Sequence, residues 1–230
     1  MIRVTFCRLL VVGLMMVAVG WAEPTIDFGI ISPTSGSISY GGGSAPLVGA
    51  GISVDNVTGI NGTPLNNNVT YNCLSCFFNF VTGGYVGSPA ATLWLFAGGG
   101  SATLSGTLDV NGNNMIDGAD VTGTLLSGPF SSGGVVDLSG GIFKIAVGSF
   151  GAAVHPGLSA LYGTMPTPPN YTSGFNISFN ASGLPPSAFT STSILSGDVF
   201  AQTPEPFSIA LLGTVLLLCT VIWRRQLRKS

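Results

Sequence analysis

Phe175-Asn176-Ile177-Ser178-Phe179-Asn180 decides the fold. Its large apolar residues fall on every second position, with polar residues between them. That period of two marks a strand with one face in a core and the other in water. Ala102, Leu104, Gly106, Leu108 and Val110 repeat the period on one face. Further short apolar runs lie at 26–31, 51–57, 77–81, 92–96, 121–126, 142–147 and 194–200. Gly-, Pro- and Asn-rich breaks separate them. Many short strands divided by turn signals predict an all-β fold, an antiparallel sandwich or barrel-like body. No amphipathic helical pattern is readable within it. The tripeptide Leu-Ser-Gly recurs at 104–106, 126–128, 138–140 and 195–197. Its spacing is irregular, so it reads as strand and turn chemistry rather than a solenoid repeat.

The two ends of the chain are of another kind. Arg3 and Arg8 precede an apolar stretch at 9–19, and Gly20-Trp21-Ala22 places small residues where a signal peptidase cuts. Residues 1–22 are therefore expected to be a secretory signal peptide. At the other end Pro204-Glu205-Pro206 precedes FSIALLGTVLLLCTVIW at 207–223, followed by Arg224, Arg225, Arg228 and Lys229. The uncharged run would measure about 25 Å as a helix, the short end of a membrane span. The basic tail, 224–230, predicts a helix with its C-terminus in the cytoplasm and the body outside. The body is then 23–203 and the anchor 204–230.

This tail resembles the PEP-CTERM sorting signal. Pro204, Glu205 and Pro206 match its motif, the run at 207–223 its transmembrane part, and Arg224 and Arg225 its basic cap. The resemblance implies a bacterial exported protein processed by an exosortase and associated with the cell surface and extracellular polysaccharide. It concerns sorting and leaves the activity of the cargo open. A GPI signal also ends in an apolar tail but normally lacks a terminal basic cluster.

Charge narrows the function further. Between 23 and 203, Lys144 faces eight acids: Glu23, Asp27, Asp55, Asp109, Asp117, Asp120, Asp137 and Asp198. A body of net charge −7 cannot neutralise phosphates, which excludes nucleic acid and disfavours anionic lipid headgroups.

Two constellations could carry chemistry. Cys73-Leu74-Ser75-Cys76 suits a small structural disulfide in an oxidising compartment. A thioredoxin-like site or a zinc site would need a helix start or further ligands. The stretch 109–120 places Asp109, Asn111, Asn113, Asp117 and Asp120 at positions 1, 3, 5, 9 and 12, with the Met115 carbonyl at position 7. That is the ligand spacing of an EF-hand loop, it resembles the dockerin type, and it would suit calcium. Asn114 stands where glycine is usual, and the flanks read as strands. The competing reading is a hairpin turned by Asn111-Gly112, a type I′ signal. No other cofactor is expected.

The supply of catalytic groups is thin. His155 is the only histidine and sits in the turn signal Val154-His155-Pro156-Gly157. Gly-x-Ser-x-Gly, P-loop and His-Glu-x-x-His patterns are missing. Trp94 is the only tryptophan of the body. The expected function is a non-enzymatic, surface-sorted structural or adhesive protein. Its partners would be an exosortase, the membrane through the C-terminal helix, and extracellular polysaccharide or another surface protein. The alternatives are an exported hydrolase using paired acids such as Asp137 and Asp198, and a calcium-stabilised module.

Overall fold

The alternation at Phe175 belongs to a strand that forms one stave of a closed barrel. A computed structural model describes residues 23–147, 150–164 and 171–203. The signal peptide expected at 1–22 and the anchor expected at 204–230 lie outside them. Among the described residues no helix is long and apolar enough to cross a membrane.

The body, Pro24–Thr203, contains β1 (Thr25–Ile30), β2 (Ser37–Tyr40), β3 (Pro46–Ile60), β4 (Thr70–Ala90), β5 (Leu93–Phe96), β6 (Ser101–Asp109) and β7 (Val121–Pro129). It continues with β8 (Gly133–Asp137), β9 (Ile142–Val147), β10 (Phe150–Val154), α1 (Pro156–Tyr162), β11 (Tyr171–Asn180), β12 (Phe189–Ser191) and β13 (Ser193–Gln202). The strand-to-strand pairings are antiparallel. Several strands are halves of one longer stave. β1 and β2 both lie along β3. β6 and β5 lie along β4. β7 and β8 continue the register beside them, and β10 and β9 lie along β11. Each stave neighbours its predecessor in the chain, and the last strand, β13, pairs back onto β1. The result is an up-and-down barrel, which removes the exposed edges an open sheet would leave. β12, outermost in the strand order, pairs with β2.

The interior is packed rather than hollow. Phe175, Ile177 and Phe179 of β11 are buried, as their alternation predicts. Phe175 reaches across to β4, its ring centre 4.9 Å from that of Phe78 and 4.7 Å from that of Phe80. Phe179 stacks on Phe189, which closes with Tyr40 over one end. At the other end α1 plugs the barrel. Leu158 and Tyr162 are buried, and the Tyr162 hydroxyl donates to the Val57 carbonyl at 3.0 Å.

β4 reaches this packing by a change of parity. Tyr71 and Cys73 face inward at its start, whereas Cys76, Phe78 and Phe80 do so further on. A bulge between Leu74 and Phe77 absorbs the extra residue, with Ser75 in the left-handed region at φ 51°. Cys73 and Cys76 lie at disulfide bonding distance across it, Cα atoms 5.6 Å apart.

The body contains one described helix where the sequence pattern indicates none. α1 has only seven residues, too few to show a helical period. Its signals are local. His155 caps the N-terminus, its Nδ1 accepting the Gly157 N–H at 3.1 Å, with Pro156 behind it and left-handed Gly163 ending the helix.

Glycine is abundant partly because staves break and pass close together. A Cβ on Gly98 would strike the Ser131 carbonyl oxygen, and one on Gly128 the carbonyl oxygen of Gly151. Both obstacles are backbone, so neither yields cheaply. Gly128→Ala is expected to lower the melting temperature by about 3–10 °C, from about 1–3 kcal/mol of overpacking. Gly118→Ala, with nothing within 4 Å of the added Cβ, is expected to leave it unchanged. Differential scanning calorimetry of the two variants checks this.

Candidate functional site

The loop at 110–120 joins β6 to β7 and is built around three carboxylates. Asp109 closes β6 and is only 1% exposed. Its Oδ1 accepts the backbone N–H of Gly112 at 2.8 Å and of Asn113 at 3.1 Å, and its Oδ2 that of Asn114 at 2.8 Å. Asp120 at the far end accepts the N–H of Val110 at 3.1 Å and of Asp117 at 2.9 Å. Asp117 receives the Ala119 N–H and the side-chain amides of Asn113 and Asn111. Those bonds, the Ala119 one foremost, hold its carboxyl below the ordinary aspartate range. The Asn111 and Asn113 side-chain oxygens accept from Asn113 and Met115 N–H groups.

The six positions with calcium-loop spacing therefore do converge on one loop, and the side-chain oxygens of Asp109, Asn111, Asn113, Asp117 and Asp120 are engaged by N–H donors. Among the described residues no group of three or more His, Cys, Asp or Glu is placed to hold a metal. A cation would have to compete with those donors. The type I′ expectation fails. Gly112 has positive φ (73°) but Asn111 does not, and β7 starts only at Val121. Asp109 prefers to gather three N–H groups, and that widens the connection. Asp109→Ala would remove the acceptor of the Gly112 and Asn114 N–H groups and one of the two acceptors of Asn113, so a loss of about 1–3 kcal/mol is expected by chemical denaturation, with or without calcium. A calcium-dependent stabilisation of the parent that Asp117→Asn abolishes would assign the loop to calcium instead.

The acids Asp137 and Asp198 do not meet. β9 and β11 separate their strands, three sheet spacings or about 14 Å. Asp137 instead accepts the Ser139 N–H at 2.7 Å in the β8–β9 turn. Asp198 has a different neighbour, Asp27, across the β1–β13 closure, and it takes a hydrogen bond from the Asn176 amide. Burial, then the Asp198 charge, push the Asp27 carboxyl up to about 6. Asn56 and Thr58 of β3 flank it on the other side. No linear pattern announces this pair, because only the closing register makes it.

A carboxyl whose folded pKa is raised favours the native state most at low pH. That contribution is complete below about 4 and is lost as pH rises through about 6. The advantage of Asp27→Asn over the parent is therefore expected to grow between pH 4 and 7. Urea denaturation of both proteins across that range checks the sign, and parallel profiles would contradict it.

His155 caps α1 and Trp94 packs against Phe143 inside the barrel. The sorting residues Pro204, Glu205, Pro206, Arg224 and Arg225 lie outside the described residues. No family model, no curated protein and no solved structure matches this chain.

Proposed function

We propose that this chain is a non-enzymatic, surface-sorted structural or adhesive protein of an extracellular matrix. The observation that carries the reading is the tail. Pro204-Glu205-Pro206, an uncharged apolar run and a terminal Arg cluster occur together and in order. In this reading an exosortase recognises that tail in the membrane, and the barrel is the cargo delivered outside. The body supports the assignment in two ways. Its interior is filled by aromatic and aliphatic side chains. Its charge of −7 suits a soluble exterior module that avoids nucleic acid. The alternative of an exported hydrolase would have to use Asp27 with Asp198, since Asp137 lies elsewhere on the barrel.

Intact-mass analysis of the protein recovered from its native host tests the assignment. The expected species comes from the cell surface or medium. It lacks 1–22, is cut near Pro204, and carries the Cys73–Cys76 disulfide as a loss of two hydrogens. Recovery of the full-length chain from the cytosol with free thiols would overturn it.

A further inference from the structure

The outer face of β4 does not look like an ordinary solvated wall. Phe77 is 41% exposed, Val81 37% and Val86 67%, and Leu95 of the adjoining β5 37%. Val86 lies nine positions after Phe77, and a second irregularity of β4 between Val81 and Gly84 turns it to the same side, giving a stripe of at most about 30 Å with Asn79 between Phe77 and Val81. Its lower end opens into a cleft of about 420 Å³ walled by Val86, Leu93, Leu95, Gly133 and Gly134. Gly134 of β8 lies buried beneath two of those walls. A Cβ on Gly134 would lie 3.2 Å from Leu93 Cδ1 and 3.4 Å from Leu95 Cδ2.

Hydroxyl and amide groups border the stripe. Ser53 and Ser105 stand opposite Phe77 on its two sides, Thr103 opposite Asn79, and Ser101 opposite Val81. Thr124 continues the first row on β7. None of these positions carries a charge, and the acid that follows on the same side of β3, Asp55, is two residues beyond Ser53.

Charge selects among occupants for such a surface. A second copy would bring another body of −7 against this one, and an anionic polymer would meet the same repulsion. An uncharged chain with apolar C–H faces and hydroxyl edges matches both the floor and the borders. Exposed apolar surface rimmed by polar groups, with a shaped cleft, is the mark of a binding surface.

We infer that the Phe77–Val86 stripe and the cleft beside Leu95 form a binding site for a neutral polysaccharide strand. This rests on the matrix reading above and adds a place and a ligand class to it. Phe77 offers an exposed ring for a sugar to stack on, and the cleft between Val86 and Leu95 receives part of a second unit.

Native affinity electrophoresis of the full chain in mild detergent tests the site. The gels contain hydroxyethylcellulose, galactomannan or laminarin as neutral polymers, with alginate as the anionic control. At least one neutral polymer is expected to retard the parent and alginate is not. Phe77→Ser and Gly134→Val, the second forcing the Leu93 and Leu95 side chains outward into the cleft, are each expected to weaken retardation at least fivefold. Melting temperatures identify a variant that has lost its fold, and Val86→Thr, at an exposed strand position, then replaces it. The inference is overturned if none of the three neutral polymers retards the parent, if folded variants run as the parent does, or if alginate retards equally. Reversible self-association of the parent that Phe77→Ser abolishes would overturn it in favour of a second copy. A processed surface protein without retardation removes this site alone. A cytosolic, unprocessed protein that is retarded removes the sorting assignment alone.

Discussion

The contact of Phe175 with Phe78 and Phe80 ties β11 to β4 across the barrel, and the rest of the structure depends on it. Those rings meet only because β4 changes parity between Cys73 and Cys76. Without the bulge, the face bearing Tyr71 and Cys73 would continue through Phe77, Asn79 and Val81. Asn79 would then enter the core and two phenylalanines would leave it. A shift of one residue in a strand exchanges its two faces entirely. The cysteine pair spans the place where that exchange is decided. A loop this short gains little from chain entropy, so its main contribution is to register.

Strands with large apolar residues at alternate positions were legible from the sequence, and β11 and β6 most clearly. The staves that escaped are poor in such residues or interrupted. β8 begins Gly133-Gly134, which reads as a turn, and β10 carries Gly151, Ala152 and Ala153. The length of β4 is concealed by its bulge and by Gly83, Gly84 and Gly87. The Asp109 loop was legible as a spacing of oxygen ligands. Its use of those oxygens as acceptors for its own backbone was not, because partners are a property of conformation. Asp27 beside Asp198 follows only from the pairing of the first and last strands, which no local window contains.

The same closure explains the distribution of polar chemistry. Inside the barrel, aromatic and aliphatic packing leaves little place for ionisable groups, and Asp109 is buried only with three donors around it. The remaining chemistry is displaced to loops and to the outer wall, where Phe77 stands among hydroxyl groups. A barrel with a filled lumen has its exterior for recognition.

The body begins and ends at one point. Thr25 of β1 lies opposite Gln202 of β13, and the Thr203 N–H donates to the Pro24 carbonyl at 3.0 Å. A pull applied at Thr203 acts lengthwise on β13, which is hydrogen-bonded to β1 on one side and β11 on the other. Such loading strains many bonds together, in shear, instead of peeling them one after another. A module held by this end would resist tension like a rivet.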